Sequence, residues 1–363
     1  MLMTCNTPLR RSNREFLDHI DRKSAALRIP LTGSIELTAR CNLQCVHCYL
    51  DPSSFIARPD VDGMSTAKLF SVLDEITEAG CLNLLFTGGE PLLRKDFAEI
   101  FHRAKRNGML VSIFSNGTLM REEIASLFAD LPPQSVEISL YGATEETYEK
   151  ITRVKGSYRR CMEGIRLLLD AEVPVALKTM LMTLNRHELA AMEKMAGDLG
   201  VKFRFDAAIF PRLNGDRYPL SLRVPPEEVA EKELSDPERR RQWKDFYQRA
   251  TGGGAEDRLY LCGAGVNSFH IDASGILRPC LMVTSVAYPL GHGSFSAGWR
   301  DVISLISSRK PGKEYPCNSC EKGPLCGYCP AFFALENGRE DICSPYLCEI
   351  GAARLQRINI RQG

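Results

Sequence analysis

Three cysteines, Cys41, Cys45 and Cys48, stand at C-x3-C-x2-C spacing just after a short β-branched run, in Ser34-Ile-Glu-Leu-Thr-Ala-Arg-Cys41-Asn-Leu-Gln-Cys45-Val-His-Cys48-Tyr49. A loop with this spacing offers three thiolates, not four. A cubane 4Fe–4S cluster is normally held by four Cys thiolates, so three leave one iron open to an exogenous ligand. The spacing therefore predicts a loop that wraps a reactive metal centre.

Downstream, Leu82 to Thr87 reads as a buried strand and runs directly into Gly88-Gly89-Glu90-Pro91. The two glycines allow close backbone approach to a ligand, and Glu90 adds a carboxylate. Alone, the same four residues also suit a strand-to-helix turn, with Glu90 and Pro91 opening the helix. Strand-like and helix-like segments then alternate through residues 34 to 207. Strands are expected at Ser34 to Leu37, Leu82 to Thr87, Met109 to Ser115, Ser135 to Leu140, Val175 to Leu181 and Val201 to Asp206. Helices are expected at Thr66 to Ala79, Phe97 to Asn107, Glu122 to Ala129, Tyr158 to Ala171 and Glu188 to Leu199, with Gly80, Gly108 and Gly200 just past three of the ends. Such alternation predicts an α/β fold with a parallel sheet covered by helices. Sheets of this kind bind ligands at the carboxyl ends of their strands, where Cys41 and Gly88 fall.

The cysteine loop, the Gly-Gly-Glu-Pro segment and the six βα units together resemble the radical S-adenosylmethionine (SAM) superfamily. That resemblance implies a partial (β/α)6 TIM-like barrel and a 4Fe–4S cluster on Cys41, Cys45 and Cys48. SAM would chelate the open iron and be cleaved by one electron to a 5′-deoxyadenosyl radical. It also implies SAM contacts from Gly88, Gly89, Glu90 and Pro91, from Ser115 and Asn116 ending the third strand, from Ser139 on the fourth, from Lys178 on the fifth, and from the backbone carbonyl of His47. Asn185 and Asp206 would face the same pocket, with Asp206 the candidate catalytic base. Each has an ordinary alternative: Asn116-Gly117 as a turn, Asn185 as a helix N-cap, Asp206 as a loop starter.

Of 14 cysteines, eight lie from Cys262 to Cys348: Cys262, Cys280, Cys317, Cys320, Cys326, Cys329, Cys343 and Cys348. Paired C-x2-C spacing suits tetrahedral zinc as well as iron. Disulfides are disfavoured, because Met1 to Phe16 is polar, carries Arg10, Arg11 and Arg14 and has no apolar core of a signal peptide; a cytoplasmic, reducing compartment is expected. The run resembles the SPASM extension that follows radical SAM barrels in peptide and protein maturases, although Cys329 comes one residue early. By that resemblance Cys317, Cys320, Cys326 and Cys348 hold one auxiliary 4Fe–4S cluster. Cys262, Cys280 and Cys329 hold a second, with either an open iron or Cys343 as fourth ligand. Three clusters are thus expected in all. Cys5, Cys81 and Cys161 read as small hydrophobes.

The implied segments are an N-terminal lead at 1–33, the barrel at 34–225, a helical linker at 226–258, the auxiliary-cluster domain at 259–350 and a tail at 351–363. Pro226 to Arg249 is read as one charged helical stretch with a solvated face, and Tyr346 to Arg357 as a helix carrying Cys348. A net charge of +1 gives no reason to expect nucleic-acid affinity, and no apolar run approaches transmembrane length. Residues 1 to 30 are too short for a leader-recognition domain, so such a module is expected on another chain, with a flavodoxin- or ferredoxin-type protein as electron donor. The expected activity is hydrogen abstraction from a ribosomally made peptide, leading to a crosslink, thioether, epimerisation or excision. The alternatives are a sulfatase-type formylglycine maturase, a small-molecule cofactor synthase, or a zinc- or cluster-stabilised protein without catalysis.

Overall fold

The computed structural model describes residues 12–50, 63–250, 258–312 and 315–359. Cys5 lies outside them. Six parallel strands follow the expected order: β1 (Thr32–Thr38), β2 (Asn83–Gly88), β3 (Leu110–Ser115), β4 (Ser135–Ser139), β5 (Val175–Met180) and β6 (Lys202–Asp206). The sheet continues past β1 into β7 (Ser268–Ile271), β8 (Ile276–Arg278) and β9 (Tyr288–Pro289), giving the spatial order β6-β5-β4-β3-β2-β1-β7-β8-β9. β7 is parallel to β1, whereas β8 and β9 turn back antiparallel. The cysteine-rich part of the chain therefore shares a sheet with the barrel strands.

Among the described residues the helices are α1 (Asn13–Leu27), α2 (Thr66–Glu78), α3 (Phe97–Arg106), α4 (Glu122–Asp130), α5 (Glu145–Thr152), α6 (Ser157–Asp170), α7 (Leu189–Asp198), α8 (Pro226–Leu234), α9 (Pro237–Ala250), α10 (Phe295–Ser307), α11 (Pro330–Asn337) and α12 (Pro345–Asn359). α1, α10 and α11 are not among the expected helices, and two further stretches differ from the sequence expectation. Pro226 to Arg249 is not one helix: it breaks at Ser235-Asp236, because Pro237 cannot donate the backbone hydrogen bond a continuing helix needs. The β4–β5 crossover holds an additional helix, α5, whose Thr144 N-cap accepts a 3.3 Å bond from Thr147 N.

Barrel strands alternate buried and half-buried residues, so Ile35, Phe86, Ile113, Ile138 and Leu177 form the apolar layer beneath the helices. Gly80, Gly108 and Gly200 follow their helices at φ of +99°, +83° and +70°, as helix-stopping glycines should. Near its carboxyl end β1 shifts register between Glu36 and Thr38, an irregularity of the kind that redirects side chains beside a site.

That end of β1 is held by Arg94. Its Nη1 donates to Leu37 O at 3.1 Å and to Met64 O at 2.9 Å, while Nε and Nη2 bond the Asp96 carboxylate at 2.9 and 2.6 Å. The Arg94 side chain is only 4% exposed, so its loss leaves buried carbonyls and a half-buried carboxylate without donors. Arg94→Ala is expected to lower the unfolding free energy by about 3 kcal/mol in urea titration. A loss under about 1 kcal/mol would mean that water replaces the guanidinium at no real cost.

Candidate active site and auxiliary cysteines

A cavity of about 310 Å³ opens at the carboxyl ends of the barrel strands. Cys41, Cys45 and Cys48 line one wall. Of the other expected site residues, His47, Gly88, Gly89, Ser115, Asn116, Ser139, Lys178 and Asp206 also line it, whereas Glu90 and Pro91 do not. Asn185 also lies outside the lining: it is buried, its Oδ1 accepts from Met182 N at 2.8 Å, and its amide donates to Tyr141 O and Met180 O. It neither faces the pocket nor caps the following 3-10 turn; it ties the end of β5 to the end of β4.

The cysteine loop has little regular structure and is fixed from outside. Gln44 N and Val46 N donate to Thr152 O and Ile151 O at the end of α5. From the loop after β6, Leu213 N donates to Tyr49 O, and buried Arg212 donates through Nη2 to Val46 O at 3.1 Å. From the end of β3, Asn116 Nδ2 donates to Asn42 Oδ1 at 2.9 Å and lies 3.7 Å from Cys41 Sγ.

Glu90 organises the wall from behind. Its carboxylate, fully buried, accepts from Leu92 N at 3.2 Å, Ser115 Oγ at 2.9 Å and Asn116 N at 2.7 Å. Burial pushes Glu90 up to about 7, and these three donors pull against that shift. The resemblance implies a SAM contact from Glu90; in this structure its carboxylate is bonded to the β3 turn and lies outside the cavity lining. Gly88 and Gly89 have a comparable structural duty. Gly88 has φ +119°, and a Cβ there would lie 2.3 Å from Thr38 O; at Gly89 it would lie 2.0 Å from Arg40 O. Gly89 N and Glu90 N donate to those same two carbonyls. The glycines thus let β2 close against the entry to the cysteine loop.

Burial raises all three loop thiols. Cys41 reaches about 12, with the Glu90 charge adding to burial, and Cys45 is raised further by its two neighbours. Three buried thiolates repel one another, and a cation among them reverses that balance. The donor set therefore fits an iron–sulfur cluster. His47 is driven down to about 4 by burial and the Arg212 charge, so its ring is neutral near pH 7. It meets Tyr141 edge-on at 4.6 Å. On the opposite wall Lys178 lies 2.6 Å from the Phe114 ring centroid and 4.0 Å from Glu137, which Arg204 also pairs. Burial pulls the Lys178 pKa well below its usual value. Asp206 is exposed at the rim, its Oδ1 accepting from Ala208 N at 2.8 Å. Sequence reasoning missed Tyr49, Phe114, Tyr141, Arg204 and Phe210 as lining residues. The strand-end position of Phe114 and Arg204 was the available signal.

The auxiliary cysteines fall into two groups. Cys262, Cys280 and Cys329 lie close enough for charge on one to raise another. Cys317, Cys320, Cys326 and Cys348 form the second group, and Cys343 belongs to it, within hydrogen-bonding reach of Cys317 and Cys348. Cys343 is therefore not positioned as a fourth ligand for the first group. Among the described residues no group of three or more His, Cys, Asp or Glu side chains is arranged to hold a single metal ion. Cys81 and Cys161 are buried and serve as apolar packing.

Residues 35–199 match the radical SAM superfamily. The chain is 30% identical over 329 residues to an AdoMet-dependent heme synthase of Methanosarcina barkeri, covering 82% of this chain and 90% of that one. It is 27% identical to the antilisterial bacteriocin subtilosin biosynthesis protein AlbA of Bacillus subtilis, covering 87% and 71%. The backbone is similar to that of Streptococcus suis SuiB bound to precursor peptide SuiA, with TM-score 0.70 and 14% identity over 94% of this chain and 82% of that one. The chain belongs to the radical SAM superfamily, and its cysteine-rich extension is of the SPASM type. It is accordingly an enzyme that uses SAM and a 4Fe–4S cluster. No described helix is long and apolar enough to cross a membrane.

Glu90→Gln keeps the shape but puts an amide NH2 where two acceptor oxygens served three donors. Its unfolding free energy is expected to fall by about 1–3 kcal/mol, measured in urea beside wild type. An unchanged midpoint and slope would mean that the β3 turn does not depend on this carboxylate.

Proposed function

We propose that this protein is a radical SAM peptide maturase that removes a hydrogen atom from a ribosomally made peptide and leaves it crosslinked, thioether-bridged, epimerised or shortened. The observation that carries the reading is one cavity shared by Cys41, Cys45, Cys48, the Gly88-Gly89 turn and the ends of β3 to β6. The names of AlbA and of the SuiB–SuiA complex support a peptide as substrate. When bound, the cluster and SAM supply a 5′-deoxyadenosyl radical able to break an unactivated C–H bond.

The chain's own residues do the rest. Cys41, Cys45 and Cys48 would hold the cluster through three thiolates and leave one iron open to SAM. Gly88 and Gly89 present backbone at the cavity wall, Ser115 and Asn116 stand at the β3 end, and Ser139 and Lys178 face them from β4 and β5. His47 contributes a neutral ring and its backbone to the adenine side. Asp206 is the candidate base for a substrate proton at the rim. Cys262, Cys280 and Cys329, and Cys317, Cys320, Cys326 and Cys348, would hold two auxiliary clusters, which would supply electron acceptance or an anchor for the peptide. A flavodoxin- or ferredoxin-type protein delivers the first electron, a separate chain presents the leader, and the reaction takes place in the cytoplasm.

A second reading, synthesis of a small-molecule cofactor, is favoured by the 30% identity to a heme synthase. Anaerobically reconstituted protein is expected to carry about 12 iron and 12 sulfide per chain, four for each of three clusters. Reduced with dithionite it should release 5′-deoxyadenosine from SAM, and Cys45→Ala should release none. Iron-loaded wild type giving no 5′-deoxyadenosine would leave only a cluster-stabilised binding protein. Asp206→Asn is expected to slow turnover at least tenfold while iron content stays unchanged, since a positioned base contributes about 10²–10⁴-fold. Undiminished turnover would remove it as the base. Co-expression with a short peptide encoded beside the gene decides between the two substrates: a loss of about two daltons marks one oxidative crosslink. No mass change, with no deuterium uptake in D2O, would shift the assignment to a small molecule.

A further inference from the structure

We propose that Cys343 is an exchangeable ligand of the outer auxiliary cluster, taking turns with Cys348 at one iron; the inference rests on the auxiliary-cluster reading above. Four irons need four thiolates, yet five cysteines gather at this group: Cys317, Cys320, Cys326, Cys343 and Cys348. The surplus is built into the start of α12. Ser344 precedes Pro345, the first helical residue, and its Oγ accepts from Leu347 N at 3.3 Å, as an N-cap does. Cys348 N donates to Ser344 O at 3.0 Å. Counting from that cap, Cys343 is the residue before it and Cys348 is the fourth helical residue. These are the two positions whose side chains pack together across a helix N-terminus. Local backbone geometry thus sets the two thiols side by side, and both reach Cys317.

The turn carrying Cys343 is anchored on both flanks. Asn337 Nδ2 donates to Ile342 O at 3.0 Å and to Cys343 O at 3.3 Å. Fully buried Ser344 donates its hydroxyl to Glu336 Oε2 at 2.8 Å, and Glu336 is paired with Arg223 at 3.0 Å. Cys343 is therefore held at the cluster position and does not visit it by chance. Exchange breaks the Cys348 sulfur–iron bond as the Cys343 sulfur–iron bond forms, and one proton passes from the Cys343 thiol to the departing Cys348 thiolate. No electron is gained or lost. The consequence is a cluster that keeps full protein ligation when one ligand is modified. By contrast, the Cys262, Cys280 and Cys329 group has no neighbouring spare thiol among the described residues.

Wild-type holoprotein tests this directly. Anaerobic iodoacetamide treatment, then trypsin, yields the peptide Glu340 to Arg354 with both cysteines in one fragment. One alkyl group per fragment is expected, divided between Cys343 and Cys348. Label confined to either residue would overturn exchange by making the other the sole ligand. Two labels on every fragment, in protein with the full iron count, would remove both thiols from the cluster and overturn the proposal while leaving three clusters intact. A wild-type iron count of about four would instead refute the auxiliary-cluster reading itself. As a second measurement, Cys343→Ala and Cys348→Ala should each retain wild-type iron and circular dichroism, and the double variant should lose the outer cluster's electron paramagnetic resonance signal. Loss of that signal in Cys348→Ala alone would overturn the proposal even if the helix remains folded.

Discussion

The buried carboxylate of Glu90 is the interaction on which the cavity wall depends. It sits where β2, β3 and the entry to the cysteine loop meet, and its two oxygens serve three donors from two of those elements. Through Asn116 the link reaches Asn42 and the Cys41 sulfur. A buried carboxylate costs free energy unless its oxygens are satisfied, so the arrangement is stable only with the β3 turn in one conformation. That requirement fixes the position of the first cluster cysteine relative to the glycine turn.

A helix would set positions 41, 45 and 48 on one face but spread them over about 10 Å along its axis, so bringing the three thiols toward one point takes an irregular loop. The loop's Asn42 side chain is met by Asn116 at the β3 turn, and its backbone groups by α5 and by the loop after β6. The Arg212 cation enters with the last of these and helps keep His47 neutral. Each clamp comes from a different βα unit, so the loop's conformation depends on contacts from several parts of the barrel. Local propensity contributes little there, and tertiary contact most.

Much of this was legible in the chain. Strand order followed from apolar alternation and from the glycines ending α2, α3 and α7, because those signals are local. The cavity position of the loop cysteines followed from their place at a strand end. Side-chain partners were not legible: Glu90, expected at SAM, and Asn185, expected to face the pocket or cap a helix, both accept from buried backbone donors that no sequence pattern displays. Helix α5 escaped because only eight residues carry it, too few for a periodic pattern to stand out. Cys343 was one of two options for the Cys262, Cys280 and Cys329 group, the other being an open iron, and the cap at Ser344 sets it beside Cys348.

The shared sheet gives the two cysteine-rich regions a fixed relation. β7 pairs with β1 over Thr32 to Ile35, immediately before the cysteine loop, and β8 leads straight to Cys280. Side chains reinforce that seam: Tyr49 Oη donates to Glu36 Oε1 at 3.0 Å, His270 Nε2 lies 3.6 Å from the same oxygen, and Ser34 Oγ meets His270 Nδ1 at 2.8 Å. Tyr49 follows the third loop cysteine, Glu36 belongs to β1 and His270 to β7. Glu36 and His270 are buried and Tyr49 is half-buried, so a displacement of the auxiliary region would leave a buried carboxylate short of partners. The structure therefore resists hinge motion between the SAM-cluster loop and Cys280.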